Sequence, residues 1–171
     1  MSIQYPVEGP RTVVHTAPAQ FVPHVFQHTV LVPRPQEQVW TWLNDPRTFT
    51  DSQLWPWRVE FVAPAQGAPS GFHPGTLTTH HGPLMNFAGR IGAVEPPTYR
   101  DLQYVYGSYF LSLRLIRPTR LQFWLEPDRP GRTRVHLRLD SYVRPWLAQP
   151  WSWAQGVFWS RFGRWVGQDT V

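Results

Sequence analysis

The stretch from His28 to Phe61, HTVLVPRPQEQVWTWLNDPRTFTDSQLWPWRVEF, switches hydrophobic period as it runs and fixes the order of its elements. Val25 to Val32 carries β-branched residues at Thr29, Val30 and Val32, the pattern of a strand. Pro33 and Pro35 end it, and Pro35 suits the first turn of a helix. Over Gln36 to Leu43, Val39, Trp40 and Leu43 recur at helical spacing. Asn44, Asp45 and Pro46 break that helix, and Asp45 is placed to cap a second short one over Arg47 to Gln53. Trp55-Pro56-Trp57 makes a stiff aromatic bend. Arg58 to Val62 then alternates, with Val59 and Phe61 on one face, as a half-buried strand does.

Composition narrows what can surround this stretch. The 171 residues suit one domain with one core. Nineteen Pro argue against a helical bundle, because Pro interrupts helices and central strands. An aromatic content of 15%, with ten Trp, supplies large rigid side chains that fill a core or line a cavity. With no Cys, disulfides, thiolate catalysis and Cys-based zinc sites are excluded. The first residues lack a basic and then apolar leader, and no run of ~18 apolar residues could span a bilayer. The expectation is a soluble cytoplasmic protein. All sixteen basic residues are Arg and the net charge is +5, which favours anionic partners or simply aids solubility.

The rest of the chain reads as strands between Pro and Gly breaks. Residues 1–24 lack periodicity and form an extended Pro-rich N-terminal arm; residues 25–171 form a single domain. Strands are expected at Thr76 to His81, Asn86 to Val94 and Tyr99 to Tyr106. Gly107-Ser108 is either a hairpin turn or a bulge, so 108–118 is either an extra strand, a lid or part of a long bulged strand. Thr119 to Glu126 and Thr133 to Val143 make a hairpin. Pro150 to Gln168 is a long helix with Trp151, Ala154, Phe158, Trp159, Phe162, Trp165 and Val166 on one apolar face and Gln155 in its middle. Gly156, Gly163 and Gly167 mark its flank, which implies close approach to another backbone or a bend.

This order resembles the helix-grip fold of the START/Bet v1-like superfamily, also labelled SRPBCC or polyketide cyclase/dehydratase-like. Val30 to Pro46, VLVPRPQEQVWTWLNDP, is similar to the family's opening of strand, Pro-containing break and "xxVWxxLxDP". Phe72-His73-Pro74-Gly75 resembles its "xxPG" turn, Val94-Glu95-Pro96-Pro97 its "v-x-P-P" turn, and Gly131 to Val135 its "GxTxV" strand start. The resemblance spans about Phe26 to Gly167 and implies an α+β fold. A curved antiparallel sheet of about seven strands would wrap a long C-terminal helix, with two short helices after the first strand. It further implies a cavity for an apolar molecule such as a lipid, a polyketide or an aromatic compound. It carries no universal catalytic motif, so catalytic residues stay unassigned.

The expected cavity wall follows from strand parity. Leu121, Phe123, Leu125, Val135, Leu137 and Leu139 form the inward set of the last hairpin, faced by Phe61, Leu77, Phe87, Trp159 and Phe162. The competing reading is a packed core without a cavity. Polar candidates inside are His81, Asn86, Tyr104, Tyr106, Ser141 and Gln155; Gln155, amid an aromatic helical face, must find a partner if buried. His80 and His81 point to opposite faces of a strand and so cannot chelate one ion, and no metal or cofactor is expected. No Gly-rich phosphate loop, G-x-S-x-G elbow or H-E-x-x-H motif is present. On the outer face, Arg120, Gln122 and Trp124 meet Arg134, His136 and Arg138, a strip that an anionic headgroup or nucleic acid would favour.

The reading is therefore a helix-grip domain that binds an apolar or amphipathic small molecule between sheet and helix. Its ligand-binding residues would be Phe61, Leu77, His81, Phe87, Tyr104, Tyr106, Phe123, Leu137, Gln155, Trp159 and Phe162. A cyclase or dehydratase acting on such a ligand is the first alternative. A ligand-free interaction module using the Arg-rich face is the second, with nucleic acid disfavoured and transient contact with an anionic membrane left open.

Overall fold

A computed structural model describes residues 11–50, 58–110 and 113–168. In chain order it contains β1 (Val22–Val32), α1 (Gln36–Asn44), α2 (Pro46–Thr50), β2 (Arg58–Val62), β3 (Leu77–Gly82), β4 (Met85–Glu95), β5 (Tyr99–Tyr109), β6 (Ile116–Arg129) and β7 (Arg132–Val143). A 3-10 turn at Pro145–Leu147 leads into α3 (Ala148–Trp159) and α4 (Phe162–Gln168). The strands form one 7-stranded antiparallel sheet of order β1-β7-β6-β5-β4-β3-β2. This is the expected helix-grip architecture. None of its helices among the described residues is long and apolar enough to cross a membrane.

Two bulges bend the sheet around its helices. On β4 and β5, Ala88 pairs with Tyr106 while Gly89 pairs with Tyr104, so Val105 is the extra residue. A second shift separates Ile91 from Val94. Gly107 lies inside β5 at φ 108, with Asn86 O 2.1 Å from where a Cβ would stand. Only glycine accepts both the left-handed backbone and that approach. Gly107-Ser108 is thus the bulge-like alternative and not a hairpin turn. The additional strand considered for 108–118 resolves into the end of β5 and the start of the long β6.

The C-terminal helix is broken where a single long one was expected. Arg161 N donates to Phe158 O (3.2 Å), a three-residue step, and Ser160 Oγ donates back to Val157 O (2.8 Å). Both tighten the turn and bend the axis. The glycine flank divides in meaning. A Cβ on Gly163 would stand 3.3 Å from Val30 Cγ2, so α4 lies close on β1, whereas Gly156 faces open space.

Two apolar clusters fill the space under the helices. Val32, Val39, Leu43, Phe123, Leu125, Val135, Leu137, Phe162 and Val166 pack beneath α1 and α4. Phe72, Phe87, Ile91, Leu102, Tyr104, Ile116, Leu139, Val143 and Trp151 pack beneath α3. The inward set expected for the last hairpin is confirmed by these clusters.

The other face of the sheet holds a buried polar network instead of an open basic strip. Arg120 Nε and Nη2 donate to Asp101 at 2.8 and 3.0 Å, with side chains 2% and 0% exposed. Gln103 Nε2 donates to Asp101 (2.6 Å), and Gln122 Nε2 to the Tyr99 hydroxyl (2.7 Å). Residues 11–15 lie along this network: Thr12 N and Val13 N donate to Gln103 Oε1 (3.0 and 3.1 Å), Arg11 pairs with Asp140, and His15 bonds Tyr104 O (2.6 Å). Arg120, Gln122, Trp124 and His136 of the expected anion-binding strip are buried, so that surface does not exist as read. Removing one partner of a buried ion pair strands the other charge. Asp101→Ala should accordingly lower stability by about 3–5 kcal/mol in urea unfolding; a loss below about 1 kcal/mol, typical of an exposed pair, would show that the pair is solvated.

Candidate functional site

Between the inner face of the sheet and the helices lies a cavity of about 100 Å³. Its floor is Val59 and Phe61 of β2, Thr78 and His80 of β3, Arg100 and Leu102 of β5, and Leu121 and Phe123 of β6. Its cover is Trp42 of α1, Phe49 of α2, Phe72 of the turn before β3, Phe158 and Trp159 of α3, and Phe162 and Trp165 of α4. The cover rings lock one another edge to face. Phe49 meets Phe72 at 5.3 Å, Phe72 meets Phe61 at 4.8 Å, and Trp42 meets Phe162 at 5.5 Å. Asp45 helps place Phe49: it accepts from Arg47 N (2.9 Å) and Arg47 Nη2 (2.7 Å) at the start of α2. The side-chain bond from Arg47 also holds the Asp45 carboxyl below its ordinary range. The expected second helix starts as read and is described as far as Thr50. Its continuation to Gln53 and the bend Trp55-Pro56-Trp57 lie outside the described residues.

Four of the eleven expected ligand-binding residues line this cavity: Phe61, Phe123, Trp159 and Phe162. Phe87, Tyr104 and Leu137 point inward but belong to the packed core. Gln155 is buried as expected, yet its partner is a neighbour one helical turn on, since Trp159 Nε1 donates to Gln155 Oε1 at 2.9 Å. The bond aims the Trp159 ring, and Gln155 itself does not line the cavity.

Leu77, His81 and Tyr106 face the wrong way for the expectation. The β3 parity runs through Thr78 and His80 inward, leaving Leu77 48% exposed and His81 3.5 Å from Glu60 on the outside. A one-residue slip in parity exchanges the two faces of a strand. Tyr106 was expected beside Tyr104, but the extra residue Val105 turns it outward and it is 62% exposed. Asn86 is half-buried and Ser141 fully buried, and neither lines the cavity.

Apart from the indoles, the polar side chains among the described wall residues are Thr78, His80 and Arg100, none of them foreseen. His80 stacks on Phe87 (4.7 Å), meets Tyr104 edge-on (5.4 Å), and its Nε2 is buried without a hydrogen-bond partner. Burial first, then the neighbouring His81 and Arg100, push its pKa down to about 3, so the imidazole is neutral at pH 7. Thr78 Oγ1 is likewise buried and unpartnered. Arg100 is 2% exposed. Its guanidinium lies 4.0 Å from the centre of the Phe72 ring, 5.0 Å from Phe123 and 5.7 Å from Phe49, and Nη1 donates to Leu43 O at the end of α1. Burial pushes its pKa down to about 9, which still leaves it charged at neutral pH. A signal for Arg100 was present in the sequence: the alternation that places Leu102 and Tyr104 inside places Arg100 inside as well. Among the described residues, no group of three or more His, Asp or Glu could hold a metal ion.

No family model matches the chain, and no curated protein matches it in sequence. Solved structures match it in fold. Norcoclaurine synthase from Thalictrum flavum, in complex with dopamine and hydroxybenzaldehyde, superposes with a TM-score of 0.57 at 12% identity, over 95% of this chain and 99% of that one. Ara h 8.0201 gives 0.58 at 16% identity, over 86% and 100%. CalU16 from Micromonospora echinospora gives 0.54 at 13%, over 87% of both chains.

The depressed His80 pKa has a consequence for stability. In the unfolded chain the imidazole takes up a proton near its ordinary 6.5; in the folded protein it stays neutral down to about 3. Between these values the unfolded chain binds the extra proton, so the stabilisation is complete above the unfolded pKa and declines as pH falls through the window. Wild type should lose stability by up to about 1.4 kcal/mol per pH unit more than His80→Phe between about pH 6 and 4. Urea unfolding of both proteins across that range measures it, and equal slopes would show that His80 titrates normally.

Proposed function

We propose that this chain, which has the helix-grip fold of the START/Bet v1-like superfamily, binds a small apolar or amphipathic molecule in the cavity between its sheet and its C-terminal helices. Residues 25–171 would act as one ligand-binding domain; of the expected N-terminal arm, residues 11–15 lie along its outer face, while Val22 to His24 already belong to β1. The observation that carries this is an aromatic cavity whose few polar groups, Thr78 Oγ1, His80 Nε2 and Arg100 Nε, are buried without partners. Three of the eleven buried polar atoms without partners among the described residues gather around this one void. Binding sites combine apolar walls with a few polar groups that orient the ligand.

Size narrows the ligand. Cavities for drug-sized molecules span roughly 300–1,000 Å³, so about 100 Å³ excludes a lipid or a fused-ring polyketide from the arrangement described. An apolar void of roughly 150 Å³ accommodates benzene. A short chain fits here directly, and a single ring fits with modest side-chain movement. The complex of norcoclaurine synthase with dopamine and hydroxybenzaldehyde, two single-ring molecules, is in keeping with that scale. A cyclase or dehydratase role is less well supported. Among the described wall residues only His80 is suited to proton transfer, its pKa near 3 is far from neutrality, and no carboxylate among them orients it.

An NMR titration of the ¹⁵N-labelled protein with benzyl alcohol, a neutral single-ring probe, tests this reading. Amide shifts should saturate and centre on Thr78, His80, Leu102, Leu121 and Phe123. Shifts that never saturate, or that centre on the outer face, would overturn it. Native mass spectrometry of the purified protein should in addition reveal a small co-purifying molecule.

A further inference from the structure

Two arginines of neighbouring strands are buried to the same degree and treated differently. Arg120, on the outer face of the sheet, has a carboxylate: Asp101 takes both Nε and Nη2. Arg100, on the inner face, is 2% exposed and has no ion-pair partner among the described residues. Its surroundings are three phenyl faces and the carbonyl of Leu43, and Nε is buried with no acceptor. Ring faces and one backbone dipole attract a cation but do not neutralise it. Buried charges are otherwise paired, because leaving water costs several kcal/mol per ion. The uncompensated charge sits in the wall of the cavity, beside a neutral His80 and an unpartnered Thr78 hydroxyl.

We propose that the cavity ligand is a small monocarboxylate with an apolar body, whose carboxylate pairs with the Arg100 guanidinium while its body lies among Phe61, Phe72, Phe123 and Trp159. This rests on the cavity reading above and adds the ligand's charge. The guanidinium offers Nε–H as part of a planar donor fork, and a carboxylate is the planar acceptor that matches it. Thr78 Oγ1 and His80 Nε2 are further polar contacts for a substituent oxygen. A single negative charge balances the one cation in the described wall. A dianion would carry a surplus charge into an apolar site, and an ammonium would meet Arg100 as a like charge. A volume of about 100 Å³ limits the body to a short chain or one ring.

Calorimetric titration at pH 7 with benzoate, benzyl alcohol and benzylamine separates the claims, since the three share a ring and differ in charge. Benzoate should bind roughly ten- to hundredfold more tightly than benzyl alcohol, the range expected of a hydrogen bond to a charged group, and benzylamine should not bind. The Arg100 Nε–H resonance should move downfield on adding benzoate and not on adding benzyl alcohol. In Arg100→Met, benzoate should fall to the affinity of benzyl alcohol, which should be retained. If Arg100→Met fails to fold, the three-probe series and the Nε–H resonance of the wild type decide the matter unaided. Equal or tighter binding of benzyl alcohol, or a benzoate preference that survives Arg100→Met, would overturn the proposal and leave the cavity reading intact. Failure of both benzoate and benzyl alcohol to bind would overturn the two together.

Discussion

The Arg100 guanidinium is the point at which the sheet and its helical cover meet. It is carried on β5, lies under rings from α2, from the turn before β3 and from β6, and donates to the last turn of α1. Each of those elements therefore has a reason to be where it is. Phe49 and Phe72 are held over the sheet, and the end of α1 is tied to it through the Leu43 carbonyl. An apolar residue at this position could pack the same rings but could not accept an anion. A cation here gives the wall of the void a positive charge.

The sheet is built to keep its two polar systems apart. Asp101 and Arg100 are adjacent on β5 and so project to opposite faces, the carboxylate to Arg120 and the network beneath residues 11–15, the guanidinium into the cavity. The one buried carboxylate near Arg100 in sequence is thereby out of its reach and engaged elsewhere. The Arg120–Asp101 pair balances the buried charge of the outer face within the chain, whereas Arg100 on the inner face has no ion-pair partner among the described residues.

How much of this was legible in the sequence depended on the kind of signal. Pro33-Arg34-Pro35, Pro46 and the hairpin at 127–131 marked element boundaries because they act locally on the backbone, and the element order followed. The facing of β3 did not. Leu77, Thr79 and His81 compete with Thr78 and His80 as the inner set, and a strand with a histidine on either face gives no apolar contrast to choose between them. Tyr106 failed for another reason: the bulge at Val105 arises from pairing with β4, where Gly89 admits Gln103 O to 2.7 Å of a would-be Cβ, a tertiary event. Gln155 was correctly read as buried, but helical spacing supplied its partner in Trp159. Arg100 was passed over because charge suggests solvent, although its parity pointed inward. A charged residue on the apolar face of a central strand deserves to be read as a site before it is read as surface.

A co-crystal structure with benzoate tests the central claim most directly. Electron density for the ring should fill the space among Phe61, Phe72, Phe123 and Trp159, with the carboxylate within roughly 3 Å of Arg100 Nε. Density elsewhere on the protein, or a ring in the cavity with its carboxylate turned away from Arg100, would contradict it.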